Sequence, residues 1–442
     1  MKVKDVKFGI LGVARSGIAA AKKIKQLGGK PFLSEYKTEN QIQDSAKIKA
    51  EFYCEFGGHS EKVLENDVLI VSPGIPLNIP IIQKAKAKKI EIISEIELGF
   101  RIKHLHSFII AITGSNGKST TVSLIHHILQ TAGYKSILAG NIGTAFTSFP
   151  IEKPDIDFIV LELSSFQLEL IDKFQPDVAA ILNITPDHLN RYKNMEDYAK
   201  AKFNIFQNQS PGNLAILNSN DKYSANFKDQ ITAEIKQFSL SGKSDILLNN
   251  NKFQFQHHNI SLENATLKGP HNLENMMAAV LAVSPFNIPD EFIEEAFSTF
   301  RSLPHRLEFV AEIDGIKFYN DSKATNTDAV KYALQSFEKP IRLIIGGSGK
   351  GEDYSVLNEL IKKHVKKLYL IGDSKEEMAK AFADTVDFEK FQTYKDVVIT
   401  AFQEAEKGDE IVLSPACTSY DMFQNFEQRG DHFKKLVRDL IK

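Results

Sequence analysis

The sequence predicts an α/β protein of three domains, and three observations carry the prediction. Short apolar runs alternate with helix-patterned stretches along the whole chain, the rhythm of parallel sheets covered by helices. One unit near the middle reads strand, glycine-containing loop, helix, with Gly117-Lys118-Ser119-Thr120 at the turn. In the last third, four predicted strands each end in a loop of polar or small residues, as in a doubly wound sheet. The 442 residues are enough for two to four domains. An apolar fraction of 43 % and a charged fraction of 25 % are ordinary for a globular chain. The net charge of −2 provides no basic field for nucleic acid or an anionic membrane. Two cysteines, Cys54 and Cys417, lie far apart, so no disulfide framework or Cys-x-x-Cys metal site is expected, and a reducing compartment fits. Met1 to Asp5 leads directly into a strand without the apolar stretch of a leader. No run has the length of a membrane span, and a cytoplasmic protein is the expectation.

The first segment runs from Met1 to about Leu98. Val6–Leu11 reads as a strand, Gly12-Val13-Ala14-Arg15-Ser16-Gly17 as a turn, and Ile18–Leu27 as a helix. Pro31–Leu33 and Val68–Val71 read as further strands, the latter ending in Ser72-Pro73-Gly74. Ligands sit beyond the carboxyl ends of strands in such sheets. This places Ser16 and Ser72, Pro73 and Gly74 at a candidate binding edge. The Gly12 turn imitates Gly-x-Gly-x-x-Gly but has Ala14 at the second glycine, which argues against a conventional NAD site. A nucleotide-containing substrate held by backbone amides and a plain helix-entry turn both remain open.

The middle segment spans about 99–302. Phe108–Ile112 reads as a buried strand and Thr121–Thr131 as a helix stopped by Gly133. Between them lies Thr113-Gly114-Ser115-Asn116-Gly117-Lys118-Ser119-Thr120. Small loop residues let backbone N–H groups face phosphate oxygens, and the helix N-terminus adds partial positive charge. Lys118 can neutralise β- and γ-phosphates, and the Ser119 hydroxyl can hold Mg²⁺. The match to the common phosphate loop is not strict, because Ile112 stands where the first glycine would be. Ile156–Leu161 is a second strand, and Glu162 at its end can be a Mg²⁺ contact or merely a cap of the next turn. Val178–Asn183 is followed by Thr185-Pro186-Asp187-His188, where His188 reads equally as a metal or phosphate ligand or as a structural histidine. A helix over Met195–Phe206 carries Lys200 and Lys202, which by pattern alone mark a solvated face. Asn272 precedes an alanine-rich helix over Asn275–Ala282 and reads as a cap.

The last segment, about 303–442, has strands at Ile316–Tyr319, Arg342–Ile345, Lys367–Ile371 and Glu410–Leu413. Their loops are Asn320-Asp321-Ser322-Lys323, Gly346-Gly347-Ser348-Gly349-Lys350, Gly372-Asp373-Ser374 and Ser414-Pro415-Ala416-Cys417-Thr418-Ser419. Four such loops on one sheet edge predict a site. No low-complexity tract and no short-period repeat interrupts the chain.

Taken together, the phosphate-loop octapeptide, Gly140-Asn141-Ile142-Gly143, Leu161-Glu162-Leu163-Ser164-Ser165-Phe166-Gln167, Asn183-Ile184-Thr185-Pro186-Asp187-His188 and Leu303-Pro304-His305-Arg306 resemble the Mur ligases of peptidoglycan synthesis. Asn320-Asp321-Ser322-Lys323-Ala324-Thr325-Asn326, Ser414 to Ser419, and Phe426-Glu427-Gln428-Arg429-Gly430 are similar to the D-glutamate-adding branch of that family. The resemblance runs the length of the chain with the motifs in order. It implies a Rossmann-like first domain for a UDP substrate, a central ATPase domain, and a Rossmann-like last domain for the amino acid. The implied reaction joins D-glutamate to UDP-N-acetylmuramoyl-L-alanine with ATP, through an acyl phosphate and a tetrahedral intermediate. No nucleic acid or membrane partner is implied, and a monomer is expected.

By the same resemblance, Gly114, Ser115, Asn116, Gly117, Lys118, Ser119 and Thr120 hold ATP phosphates. Asn272 lies near the adenine, and Arg306 and Asp321 contact the nucleotide. Ser119 and Glu162 serve one Mg²⁺, and His188 and Lys202 serve a second. The matching lysine in the family is carbamylated, which turns a metal-repelling ammonium into a carboxylate-like ligand. Lys118, His188 and Lys202 are the implied catalytic residues. Asn141 and His188 lie beside the muramoyl and alanyl parts. Lys323, Thr325, Lys350, Ser419, Tyr420 and Phe426 surround the D-glutamate. Ser34-Glu35-Tyr36 and Ser348 depart from the family pattern. Two rivals remain: a sister ligase with another amino acid, and a phosphate-loop nucleotide switch. Against the switch, no Asn-Lys-x-Asp base-reading motif follows the loop.

Overall fold

The computed structural model describes the whole chain except residues 43, 188–190, 302–303, 338 and 442. It forms two compact units, one of residues 1–265 with 273–299, the other of residues 266–272 with 300–442.

The first unit contains two open parallel sheets. One has strands β1 (Lys7–Leu11), β2 (Lys30–Glu35), β3 (Tyr53–Phe56), β4 (Val68–Val71) and β5 (Glu91–Ile93), in the order β3-β2-β1-β4-β5. The order reverses between β1 and β4, where Leu11 pairs with both Ser34 and Val71. The loops after β1 and β4 therefore splay apart over a crevice, the usual ligand position in such sheets. The second sheet has strands β6 (Phe108–Thr113), β7 (Ser136–Gly140), β8 (Phe158–Glu162), β9 (Val178–Ile181), β10 (Leu214–Asn218) and β11 (Glu234–Phe238), ordered β11-β10-β9-β6-β8-β7. Its inner strands β6, β8, β9 and β10 are almost wholly buried and read as near-continuous apolar runs, as expected where helices cover both faces. In register, Ile112 pairs with Glu162 and Thr113 with Ile181, so the loops after β6, β8 and β9 emerge side by side. A small antiparallel sheet, β12 (Leu247–Asn249), β13 (Lys252–Phe255) and β14 (His258–Ser261), completes the unit.

Helix Glu95–Ile102 belongs to both cores of this unit. Ser94 caps it by accepting from the Glu97 N–H at 3.2 Å. Leu98 packs into the core of the first sheet and Ile96 into that of the second. Glu95 Oε1 accepts from Thr147 N and Oγ1, both at 2.6 Å. The Glu97 carboxylate accepts the N–H groups of Asp172, Lys173 and Phe174 at 2.9, 3.0 and 2.9 Å, and also pairs with Arg101.

In the second unit, strands β15 (Glu308–Ile313), β16 (Ile316–Asn320), β17 (Ile341–Gly346), β18 (Val365–Ile371), β19 (Phe388–Lys390) and β20 (Glu410–Leu413) form one sheet in the order β15-β16-β20-β17-β18-β19. Only β15 is antiparallel. Strands β16, β20, β17 and β18 are consecutive and parallel, so the four loops singled out in the sequence leave one edge together.

Candidate active site

The phosphate loop sits between β6 and helix Lys118–Thr131. Gly117 at the helix entry has φ +83°, a conformation glycine adopts without strain. The rest of the loop is pinned from neighbouring strand ends. Asn116 N donates to Asn183 Oδ1 at 2.8 Å, and Asn183 Nδ2 returns a bond to Asn116 O at 3.1 Å. Ser115 Oγ donates to Thr185 O at 3.0 Å and lies 3.2 Å from the buried Tyr198 hydroxyl. Lys118 Nζ lies back over the loop, donating to Gly114 O at 2.8 Å and Ser115 O at 2.6 Å. Ser119 is buried at the first turn of the helix. A rigid loop, a helix start and a lysine are thereby held ready for a polyphosphate. Asn183 and Tyr198 went unassigned at the residue level. Asn183 sat inside a recognised motif, but nothing in its spacing distinguished a loop clamp from a turn residue.

Lys202 corrects the pattern-based expectation of a solvated face. It is 2 % exposed, and its Nζ donates to Gly114 O at 2.9 Å and lies 4.6 Å from the Tyr198 ring centroid. Burial, then the Lys118 cation, pushes its ammonium well below the ordinary lysine range, while Asp187 and Glu162 oppose the shift. Glu162 is 1 % exposed and does not cap the turn after it; Ser164 does, in a capping box with Gln167. The Glu162 Oε1 instead accepts from Asn141 Nδ2 at 2.7 Å. Ser119 and Glu162 supply hard oxygen donors of the kind Mg²⁺ takes, so the donor set fits one such ion. Lys202 as an ammonium does not fit beside a cation. Among the described residues no group of three or more His, Cys, Asp or Glu side chains is placed to hold a metal. His188 lies outside the described residues.

A cleft of about 870 Å³ opens at the β1–β4 crevice. The expected Ser16, Ser72, Pro73, Gly74 and Asn141 all line it. So do Arg15, Glu35, Tyr36, His59 and Gln167, which the sequence had not singled out as ligand contacts. Glu35 is committed to the backbone, accepting from Val13 N and Lys37 N at 3.0 Å each. Ser34 Oγ donates to Glu55 Oε1 at 2.6 Å, which leaves His59 Nδ1, 2.7 Å away, to donate to Ser34. Burial holds His59 below the ordinary histidine range, against the pull of Glu35 and Glu55. Arg15 reaches from the Gly12 turn to the carbonyls of Gly143 and Asn141.

In the second unit the four loops are stitched together by their backbones. Asp321 N donates to Leu413 O at 2.7 Å, Gly346 N to Pro415 O at 2.9 Å, and Ser374 N to Gly347 O at 3.0 Å. Ser348 and Thr418 form an antiparallel bridge. Lys323 Nζ lies 5.3 Å from the Phe426 ring centroid, Ser419 is buried and Tyr420 is exposed. Thr325 is half-buried and Lys350 exposed on the same edge. Asp321 accepts from Ser414 Oγ at 2.8 Å and Leu307 N at 3.2 Å. Burial raises its pKa to about 7, although Ser414, Arg306 and Arg429 pull the other way. Arg306 also acts on His271, whose pKa is pushed down to about 4 by burial first and that cation second. Asn272 is not a cap: it lies inside helix Pro270–Val283 and its Nδ2 donates to Lys268 O at 2.9 Å.

Fold and site define a phosphate-loop α/β protein with a nucleotide-type cleft in its first sheet and a loop-built pocket edge in its last. Comparison with known proteins makes the class specific. Residues 6–94 match the family described as Mur ligase MurD-like, N-terminal domain, residues 112–283 the Mur ligase middle domain, and residues 305–417 the Mur ligase, glutamate ligase domain. The UDP-N-acetylmuramoylalanine–D-glutamate ligase of Koribacter versatilis (strain Ellin345) is 39 % identical over 452 residues, covering 100 % of this chain and 99 % of that protein. The enzyme of the same name from Clostridioides difficile (strain 630) is 38 % identical over 456 residues, with 100 % of both covered. Among solved structures, UDP-N-acetylmuramate-alanine ligase MurC from Thermotoga maritima aligns with a TM-score of 0.64 at 17 % identity, over 98 % of this chain and 100 % of that one. The chain belongs to the Mur ligase family.

Proposed function

We propose that this protein is the ATP-dependent ligase that joins D-glutamate to the L-alanyl carboxyl of UDP-N-acetylmuramoyl-L-alanine in peptidoglycan precursor synthesis. One observation supports the reading most directly: Asn141 lines the nucleotide-type cleft and also bonds Glu162, beside the phosphate loop. A substrate whose nucleotide lies over the first sheet thus presents its other end where ATP phosphates gather.

The substrate carboxylate attacks the γ-phosphorus of ATP, giving an acyl phosphate and ADP. The amine of D-glutamate then adds to the acyl carbon. The tetrahedral intermediate loses inorganic phosphate and a proton, leaving the amide. Two anions must meet in the first step, so positive charge is needed at the γ-phosphate. Lys118 and the loop N–H groups of Gly114 to Thr120 supply part of it. Ser119 and Glu162 hold one Mg²⁺, which when bound neutralises phosphate charge. His188 and carbamylated Lys202 serve the second. The neutral amine that burial favours at Lys202 can add to CO₂; the N–C bond forms and one proton leaves.

Asn272, Arg306 and Asp321 hold the nucleotide of ATP. Ser16, Ser72, Pro73 and Gly74 hold the UDP part, and Asn141 and His188 the muramoyl-alanyl part. Lys323 and Lys350 pair with the D-glutamate carboxylates, Thr325 and Ser419 orient it, and Tyr420 and Phe426 enclose it. Holding the amine against the acyl phosphate is a positioning task, of order 7 kcal/mol. The three domains of this reading are residues 1–98, 99–302 and 303–442, and the enzyme works as a cytoplasmic monomer. Among the described residues no helix is long and apolar enough to cross a membrane.

The test is phosphate release from ATP with UDP-N-acetylmuramoyl-L-alanine constant and amino acids varied. Release that requires both the UDP-sugar and D-glutamate is expected. Release with another amino acid moves the protein to a sister ligase, and release needing neither leaves a nucleotide switch. Isotopically labelled bicarbonate should give a carbamate carbon signal that Lys202→Met lacks; its presence in the variant would remove Lys202 from that role.

A further inference from the structure

Arg429 lies in the first turn of helix Phe426–Asp439 and is completely buried. Its guanidinium has five N–H hydrogens fixed in one plane, and the structure accounts for all five. Nε donates to Ser322 Oγ at 2.9 Å. Nη1 donates to Cys417 O at 3.0 Å and Thr418 O at 3.2 Å. Nη2 donates to Ser322 O at 2.7 Å and Cys417 O at 3.0 Å. Ser322 Oγ in turn donates to Phe426 O at 2.8 Å, closing the network onto the helix that carries Arg429. No carboxylate is among these acceptors. Tyr394 and Asp421 act on it from nearby, but a buried cation whose hydrogen bonds go to loop oxygens is costly to keep, and a well-packed apolar side chain could fill the space without it. What the guanidinium adds is geometry: a rigid fork with a fixed spacing between the two segments it grips.

Those segments carry the side chains assigned above to the amino acid. Ser322 precedes Lys323, Thr418 precedes Ser419, and Phe426 opens the helix. Thr418 is also bonded to Ser348 through both backbone groups, Ser348 N to Thr418 O at 2.9 Å and Thr418 N to Ser348 O at 3.1 Å. The loop ending in Lys350 is therefore tied to the same spacer. We propose that Arg429 is the positioning residue of the amino-acid pocket, setting the distance between the loop that bears Lys323 and the loop that bears Ser419. It does not touch substrate, and it acts through the residues one position along the chain. The proposal rests on the ligase reading, in which these loops hold D-glutamate.

The test uses the full-length enzyme and separates the two halves of the reaction. Acyl phosphate made without amino acid is trapped with hydroxylamine, and KM is measured for ATP, UDP-N-acetylmuramoyl-L-alanine and D-glutamate. Arg429→Lys, which offers three donors from one centre and cannot span both loops, should raise KM for D-glutamate at least tenfold. Arg429→Met should raise it further. Both should form the trapped hydroxamate within about threefold of wild type and keep the other two KM values. Ser322→Ala removes only the Nε acceptor and the link to Phe426; it should raise KM for D-glutamate by a few-fold, and it decides the matter if neither Arg429 variant folds. A uniform rise of all three KM values, loss of hydroxamate together with amide, or an unchanged KM for D-glutamate in a folded variant overturns the proposal. A wild-type enzyme that makes hydroxamate but ignores D-glutamate overturns the assignment of these loops, a result visible before any variant is made.

Discussion

Two glycines flank the phosphate-loop helix in almost the same backbone conformation, and they allow its energetics to be separated. Gly117 enters the helix at φ +83° and Gly133 leaves it at φ +85°. A Cβ built on Gly133 meets nothing within 4 Å, whereas one on Gly117 falls 2.3 Å from Asn275 Oδ1. Gly133→Ala therefore bears only the left-handed backbone strain, about 1–2 kcal/mol, partly offset by reduced freedom of the unfolded chain. A melting shift of about 2 °C and unchanged nucleotide affinity are expected. Gly117→Ala bears the same strain and must also move Asn275 by about 1 Å to reach ordinary contact. That movement breaks the 3.3 Å bond from Thr121 Oγ1 to Asn275 Oδ1, worth about 1 kcal/mol. Taken from the bound state, a total near 3 kcal/mol weakens ATP about 100-fold. Asn275→Ala removes the obstructing oxygen, so the double variant should recover at least tenfold of the affinity lost. Titration calorimetry with a non-hydrolysable ATP analogue and thermal melts on all four proteins provide the cycle. Equal effects of the two glycine substitutions on ATP, or strict additivity of Gly117→Ala with Asn275→Ala, would refute the steric argument.

Three further outcomes are expected. Among the described residues that line the first-sheet cleft, Arg15 is the one Lys or Arg, so Arg15→Met should weaken UDP binding about tenfold at low salt, flatten its salt dependence, and leave uridine binding unchanged by calorimetry. His271 protonates near pH 4 in the folded chain against an ordinary value of 6.5, so the unfolded chain takes the proton first. Its contribution to stability is intact above pH 6.5 and drains away as the pH falls toward 4, by up to about 3 kcal/mol. His271→Gln should flatten the acid limb of melting temperature against pH, and an unchanged limb would contradict the assigned burial. Glu97→Leu strands three backbone N–H groups, and chemical denaturation should show a loss of about 4 kcal/mol. Glu97→Gln, which keeps acceptor oxygen, should lose about half as much.

Apolar runs located strands, two of them to the residue: Val68–Val71 and Glu410–Leu413 are β4 and β20 as predicted, whereas the runs expected at Ile156–Leu161 and Val178–Asn183 are strands at Phe158–Glu162 and Val178–Ile181. Helix starts were not. The helices expected from Ile18 and Thr121 begin at Arg15 and Lys118, because the turn after a glycine loop is polar and carries no apolar periodicity. Strand β15 went unread although Asp314-Gly315, both with positive φ, mark a tight hairpin between it and β16. The β12–β13 hairpin had a similar mark in Asn250-Asn251, with Phe253 and Phe255 buried between exposed Lys252 and Gln254. Site residues divide in the same way. Lys118 and Ser119 announce themselves by the chemistry a phosphate demands. Lys202 does not, because the carbonyl its Nζ is bonded to, Gly114 O, lies 88 positions away in sequence. Arg429 was visible only as a letter in a motif; its task depends on carbonyls, which no sequence pattern displays.

The helix Glu95–Ile102 has a consequence for how such enzymes exchange parts. The match to the first family domain ends at residue 94, one position short of a helix that puts Leu98 into one core and Ile96 into the other. A first domain transplanted from a relative at that boundary would arrive without Leu98 and would meet Glu95 and Glu97 belonging to the recipient. The heritable seam and the folding seam are therefore offset by one helix. Recombination within the family succeeds only where the donor's sheet accepts the recipient's Leu98, or where the helix travels together with the backbone at Thr147 and residues 172–174 that its carboxylates hold.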